Sequence, residues 1–371
     1  MVDDIILSKV GNSIGYFARV DENIGICNIS ENNIGIKLHD NYNEITKHYI
    51  LTYLNTQIAQ KLVIRRQSGN AQPKLNVGDL AYIPIPIMAD SMMCGISKLI
   101  KKSVQYAQNA IDAYNNCKCS LLKLLDINSF IPSHTVGYQS SFSILKKSRR
   151  WDAEYYQPKY EDFRQKIEGY TGGYNITRDI CSIIDDNYIP QNDVIYRYIE
   201  LANIGNYGDI TGYTRCEGRD LPTRARRLVR SGDVIVSSIE GSLQSCAIVP
   251  NELDGALCSN GFYVIRSAIF TPEVLLALFK SIPLQMLMKR GCTGTILSAI
   301  GKNEFEKIPI PIIPDDIQIQ ISQQVQESFK LRSESKRLLE VAKKAVEIAI
   351  EENEENALKY INEYGKSLYD K

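Results

Sequence analysis

The chain has 371 residues, 44% of them hydrophobic and 23% charged, with 43 basic side chains balanced by 43 acidic ones. One core rarely serves so long a chain, so more than one domain is expected. A net charge of zero excludes a global field that would draw the molecule to nucleic acid, and leaves only local patches for that role.

The start, Met1-Val2-Asp3-Asp4, is acidic where a signal peptide is basic, and Lys280 interrupts the longest apolar run, Leu275 to Met288. No membrane association is expected, and a cytoplasmic location is. Nine cysteines, paired closely only at Cys117 and Cys119, and three unclustered histidines, His39, His48 and His134, favour reduced thiols over a zinc site.

In chain order, residues 1–88 mix strand-like runs (Ile5 to Ser8, Ile24 to Ile29, Ile34 to Leu38) with one helical stretch from about Thr46 to Arg65. There Ile50, Leu54, Ile58 and Leu62 fall four apart on one face. Residues 90–126 read as one long helix without proline, its one glycine, Gly95, near the start. Residues 151–313 alternate strands and helices, with turn clusters at Asn203 to Gly208 and Asn251 to Gly255. A second long helix is expected over 315–352, capped by Asp315 or Asp316 after Pro314.

Both long helices carry a heptad-like seam of apolar and small residues. In the second it runs through Ile317, Ile321, Gln324, Ser328, Leu331, Ser335, Leu338, Ala342, Ala345 and Ala349, and in the first through Ile96, Leu99, Ser103, Tyr106, Ala110, Ala113, Cys117, Ser120 and Leu124. The two helices are expected to pack against each other.

The chain also repeats itself. Ile83-Pro84-Ile85-Pro86 recurs as Ile308-Pro309-Ile310-Pro311, and Ser68-Gly69 as Thr293-Gly294, all offset by 225 residues. With a small change of offset, Asp4 to Ser8 matches Asp233 to Ser237, Ser13 matches Ser242 and Ala18 matches Ala247. So long a period describes two copies of a whole module, each followed by a helix. Trp151 to Gly232 has no counterpart in the first copy, which therefore lacks the N-terminal half of the module. The Ile-Pro-Ile-Pro runs belong at a sheet edge or in an extended exit segment, because proline removes a ladder donor.

The strongest charge feature is Thr214 to Arg230, six arginines against two acids. Gly218 and Pro222 in it argue for a loop. Arg215, Arg219, Arg224, Arg226 and Arg227 are candidate DNA ligands, because guanidinium forks suit phosphate oxygens and the guanine edge alike. Ser238, Lys289, Arg290, Thr293 and Lys302 are polar or basic candidates in neighbouring loops. A solvated loop with local ion pairs is the competing reading of the arginine run. Enzyme signatures are missing: no phosphate-binding glycine loop, no Asn/Asp-Pro-Pro-Tyr/Phe box and no nucleophile elbow. Pro314-Asp315 with Glu334-Ser335-Lys336 imitates a nuclease pattern, but on one helix Asp315 and Glu334 stand about 28 Å apart.

Arg150-Trp151-Asp152-Ala153-Glu154-Tyr155-Tyr156-Gln157-Pro158 resembles the opening of a target recognition domain in specificity subunits of type I restriction–modification enzymes. So do Tyr198 to Ile204, Arg224-Ala225-Arg226, Gly232 to Ser237 and the Ile-Pro-Ile-Pro exit into a long helix. The resemblance covers nearly the whole chain and departs from the family at the first module, which lacks the Arg-Trp-Asp-like opening. Three origins of that gap stay open: a start further upstream, a truncated gene, or a second chain supplying the missing half.

The resemblance implies α/β (α+β) target recognition domains, one partial and one complete, joined by two long antiparallel coiled-coil-like helices. The implied segments are a partial domain at 1–88, a central helix at 89–128, a linker at 129–150, a complete domain at 151–313 and a C-terminal helix and tail at 314–371. Each domain would read half of a bipartite site in double-stranded DNA. The helices would dock methyltransferase (modification) subunits, with motor/nuclease (restriction) subunits joining the complex. Tyr106, Ala113, Leu331, Leu338 and Ala342 are the candidate docking residues. S-adenosylmethionine, ATP and Mg would belong to those partners, and this chain would bind no cofactor or metal and catalyse nothing. The competing functions are a single-chain methyltransferase–nuclease, disfavoured by the missing boxes, and a truncated subunit serving only as an assembly scaffold.

Overall fold

The computed structural model describes residues 4–11, 14–20, 24, 26–39, 41–69, 73–294 and 297–366. In chain order they form β1 (Ile5–Ser8), β2 (Phe17–Arg19), β3 (Asn33–Ile36), α1 (Glu44–Leu54), α2 (Gln57–Arg65), α3 (Val77–Leu80) and the long α4 (Asp90–Leu124). Next come α5 (Phe142–Ser148), α6 (Pro158–Glu168), β4 (Tyr174–Ile176), α7 (Thr177–Ile180), β5 (Cys181–Ile184), β6 (Ile195–Ile199), β7 (Thr214–Glu217) and β8 (Ala225–Leu228). Then follow β9 (Val234–Ser237), β10 (Cys246–Ile248), β11 (Leu257–Ser259), β12 (Phe262–Ser267), α8 (Pro272–Phe279), α9 (Ile282–Gly291), β13 (Cys292–Thr293) and β14 (Ala299–Ile300). The last elements are α10 (Lys302–Glu306), β15 (Pro309–Pro311), the long α11 (Asp315–Glu351) and α12 (Glu354–Tyr364).

The chain divides into two compact units, residues 1–110 with 330–371, and residues 111–329. The long helices are not separate pieces, because α4 and α11 each lend part of their length to the core of either unit.

In the first unit β2-β1-β3 form an antiparallel sheet. Ile5, Leu7, Phe17 and Ile34 turn inward by the two-residue strand period and meet Tyr49, Ile50 and Tyr53 of α1, Ala59 and Val63 of α2, and Met92 and Ile96 of α4. The stretch expected as one helix is two. Thr56, extended at φ −72° and ψ 158°, caps α2 by accepting from the Ala59 N–H at 3.2 Å, which starts a new helix directly after Asn55. α4 and α11 run antiparallel here. Ser103 and Ser335 exchange buried hydroxyl-to-carbonyl bonds at 3.0 and 2.8 Å, and Glu354, just past α11, accepts from the Ala89 N–H at 3.1 Å.

In the second unit two sheets, β10-β9-β12-β5 and β7-β6-β11-β8, share an apolar cluster that joins Ile235 and Val264 of the first to Ile199 and Cys258 of the second, and each carries a further cluster of its own. β9 is buried along its whole length. Thr271 and Pro272 start α8, where Val274 to Phe279 are all buried, and Phe279, Phe305 and Tyr263 stack at 5.3 and 4.5 Å between ring centres.

The sequence repeat is a structural repeat in the same register. Ile5 pairs Arg19 and Leu7 pairs Ile34 in the first copy, and Val234 pairs Ile248 and Val236 pairs Tyr263 in the second. The α2, α3 and α4 starts at Gln57, Val77 and Asp90 recur as the α9, α10 and α11 starts at Ile282, Lys302 and Asp315. The change of offset therefore lies between the strands and α2. Two sequence expectations are corrected. β2 is an additional strand, and Ile24 to Ile29 forms no strand among its described residues.

The repeat also shows what the Ile-Pro-Ile-Pro runs do. In the second copy the run is β15 and pairs β4, with Ile310 fully buried. In the first, Tyr49 and Tyr53 donate to the Pro86 and Pro84 carbonyls at 2.7 and 2.6 Å, but among the described residues no strand pairs with the run, and Ile85 is 43% exposed.

Candidate nucleic-acid interface

The arginine run is not one loop. β7 and β8 occupy the two edges of their sheet, joined through Gly218 to Pro222. Gly218 is required by close approach: a Cβ there would lie 2.0 Å from the Gln191 carbonyl. The Gly218 and Arg219 N–H groups donate to Val194 and Asn192 at 2.9 and 3.2 Å, locking the turn to the loop 187–194. That loop exposes Gln191 and Asn192, side chains able to read base edges, which the surrounding Asp185, Asp186 and Asp193 obscure in the sequence.

The arginines divide by what holds them. Arg215 stands opposite Arg197 in the β6–β7 register, and Arg219 is paired with Glu217. The Arg226 Nε donates to the Thr223 carbonyl at 2.8 Å. Among the described residues no carboxylate lies within ion-pair distance of Arg215, Arg224 or Arg226. Arg227, on the opposite side of the strand by the two-residue period, is half-buried and donates to the Asp185 carbonyl and to Asn187 Oδ1, the latter at 3.1 Å. These bonds make Arg227, a candidate DNA ligand, also an anchor of the 185–187 loop.

Asp185 also ties in Lys302, whose Nζ lies 2.6 Å from the Asp185 carboxylate. The hydrogen bond from Lys302, helped by its charge and by Arg227, outweighs burial and holds the Asp185 carboxyl below the usual carboxylate range.

The remaining candidates sit elsewhere. Ser238 is buried and its hydroxyl donates to the Gly261 carbonyl at 2.9 Å, so it too is occupied internally. Thr293 is exposed in β13. Lys289 and Arg290 close onto residues 150–161: Lys289 is 3.9 Å from Glu154, and Arg290 is 3.3 Å from Glu161. The Tyr155 ring carries the Arg150 and Arg290 guanidiniums at 4.7 and 4.8 Å from its centre. Arg150 grips Asp152 through two bonds and the Cys292 carbonyl at 2.8 Å, and its hydrogen bond holds Asp152 low. The Arg-Trp-Asp opening is thus a clasp that fastens the start of the second module to α9, an internal task that its sequence does not reveal.

The candidate docking residues are mostly buried within this chain. Tyr106, Leu331, Leu338 and Ala342 lie inside the core of the first unit, between 0 and 8% exposed, and Ala113 is half-buried on α4 in the second. No three His, Cys, Asp or Glu side chains gather to hold a metal, and no helix is long and apolar enough to cross a membrane, among the described residues.

No protein-family model matches the sequence, and no curated protein does. Solved structures do. The chain is similar to a chain of a type I restriction–modification system described for its complex assembly and conformational transition, with 27% identity over 48% of this chain and 45% of that one at a TM-score of 0.36. It is also similar to the HsdS subunit from Thermoanaerobacter tengcongensis, 26% identical over 48% of this chain and 47% of that one at a TM-score of 0.37. A third likeness, to the type I restriction–modification S subunit from M. genitalium, covers 97% of this chain and 83% of that one at 13% identity and a TM-score of 0.38. The match spans about half the length of the first two proteins.

Proposed function

We propose that this chain is a DNA-recognition subunit of a type I restriction–modification complex, with residues 151–313 as its complete reading module. The observation that carries this reading is that Arg215, Arg224 and Arg226, among the described residues, have no carboxylate within ion-pair distance, in a sheet whose β7–β8 turn is tied to the loop that exposes Gln191 and Asn192. Unneutralised guanidiniums contact phosphates and guanine, and carboxamides contact adenine. The ordered motifs that resemble specificity subunits support the same reading, as does the duplication of the module, which suits a bipartite site. In this proposal methylation and cleavage, with S-adenosylmethionine, ATP and Mg, belong to modification and restriction subunits directed by this chain.

Binding of the full-length chain to fluorescent duplexes, titrated from low to high salt, tests it. Replacing Arg215, Arg224 and Arg226 together by Ala is expected to weaken binding and to flatten the log–log salt slope by about 0.9 for each phosphate no longer neutralised. An unchanged slope in a folded triple variant would remove the arginine set from the interface.

A further inference from the structure

Position 280 marks a difference in charge between the two copies of the module. In the first copy Asn55 exchanges bonds with the backbone of Phe17: its Nδ2 donates to the carbonyl at 3.1 Å and its Oδ1 accepts from the N–H at 3.4 Å. Gln60 Nε2 donates to the Gly15 carbonyl at 2.7 Å. The 225-residue offset puts Lys280 where Asn55 stands, and the strand register puts Cys246 at Phe17 and Gln244 at Gly15. Lys280 Nζ donates to that Gln244 carbonyl at 2.7 Å. A neutral carboxamide meets the same carbonyl in the first copy, so the fold itself does not require an ammonium there.

The charge is also uncompensated. Lys280 and Lys118 of α4 line one cavity of about 200 Å³, and among the described residues no carboxylate lies within ion-pair distance of either. Lys280 is half-buried, and burial holds its pKa below the usual lysine range against smaller opposing pulls from Cys246 and Asp209. Taking an ammonium out of water without a counter-charge costs free energy, which an anion in the cavity would recover. Asn206 and Gln244 line the same cavity, and among the described residues their carboxamides make no other hydrogen bond.

We propose that this cavity is a binding site for a phosphate oxyanion, held between Lys280 and Lys118 with Asn206 and Gln244 donating to its oxygens. Two ammoniums and two carboxamides offer more N–H groups than the two oxygens of a carboxylate can accept from, and suit a tetrahedral oxyanion. A whole nucleotide is too large, since pockets for small molecules begin at about 300 Å³. Free orthophosphate and a backbone phosphate of a duplex present the same oxygens, and either could be the source. The inference rests on the repeat and the cavity, so it stands or falls separately from the arginine set.

The test titrates inorganic phosphate into the full-length chain by calorimetry, without DNA and at constant ionic strength. The expected result is saturable binding that chloride does not reproduce. It should weaken about tenfold or more in Lys280→Asn, which installs the first module's residue, and in Lys118→Gln, a change at an exposed position. A duplex titrated with and without saturating phosphate separates the sources. Duplex affinity that phosphate lowers in the wild type but not in Lys280→Asn assigns the site to the backbone, and unchanged or absent duplex affinity assigns it to the free ion. No saturable phosphate binding by the folded wild type would overturn the proposal. So would chloride binding as strongly, or a smaller loss of phosphate affinity in either folded variant.

Discussion

Ile85 and Ile310 occupy the same place in two copies of one fold, each inside an Ile-Pro-Ile-Pro run, yet one meets solvent and the other is sealed. The strands before them pair in the same register and the helices after them begin at the same step of the repeat. What differs is a covering layer, β4 to β8, which pairs the edges of the second module, while among the described residues nothing pairs those of the first. The comparison teaches that the repeated half folds its local elements without that layer, while burial of its outer edges depends on it.

The largest test of the comparison is a matched pair of charges. Ile310→Asp should destabilise the second module by more than about 3 kcal/mol, since it empties a packed site and buries a carboxylate without a partner. Ile85→Asp should stay within about 0.5 kcal/mol, as exposed substitutions do. Urea unfolding of the two variants measures both, and equal losses would show that the first module closes its own edge.

Asp233 gives the next effect. It is 2% exposed, accepts from the Arg230 N–H at 2.8 Å and holds Arg266 through both of its oxygens. Asp233→Asn should cost about 1–3 kcal/mol, read as a lower urea midpoint with an unchanged slope.

Within the arginine run, Arg227→Ala should cost about 1 kcal/mol by freeing the 185–187 loop, whereas Arg224→Ala should leave the midpoint unchanged and act only on DNA binding. The reverse pattern would exchange the anchor and the ligand.

The smallest effect is a pH dependence confined to the second module. The folded-state pKa of Asp185 is lowered, chiefly by the hydrogen bond from Lys302. Its contribution is therefore complete above the unfolded value, about 4, and is lost as pH falls through the lower folded value. The pair is partly exposed and screened, so a few tenths of a kcal/mol is expected. Thermal melts of wild type and Lys302→Met should differ slightly at pH 7 and converge near pH 2. The first module, with Val77 at that position, has no matching pair to lose.

Much of this architecture is legible in the sequence. The Ile-Pro-Ile-Pro copies and the Asp4 to Ser8 match report the repeat directly, because residues that face one core in one register recur with the same spacing. The repeat leaves Trp151–Gly232 unmatched, in keeping with the first-module edges left unpaired among the described residues, and unbroken heptad-like spacing reports the two long helices. Three-residue β2 lies below what periodicity can resolve, and the Asn55–Thr56 break is hidden because a cap is a local exception within a pattern that continues through it.

The candidate site is less legible, because charge is visible in a sequence and its neutralisation is not. Arg224 and Arg227 are alike as letters. Only the fold places Asp185 and Asn187 against the second and leaves the first without a carboxylate. The same holds for Lys289 and Arg290, absorbed by Glu154 and Glu161 from more than a hundred residues away, and for Leu331 and Leu338, which belong to a core and not to a surface. Composition, repeat and helix length follow from order along the chain. Which side chains remain available to a partner is set by contacts between distant segments, and those the tertiary structure alone decides.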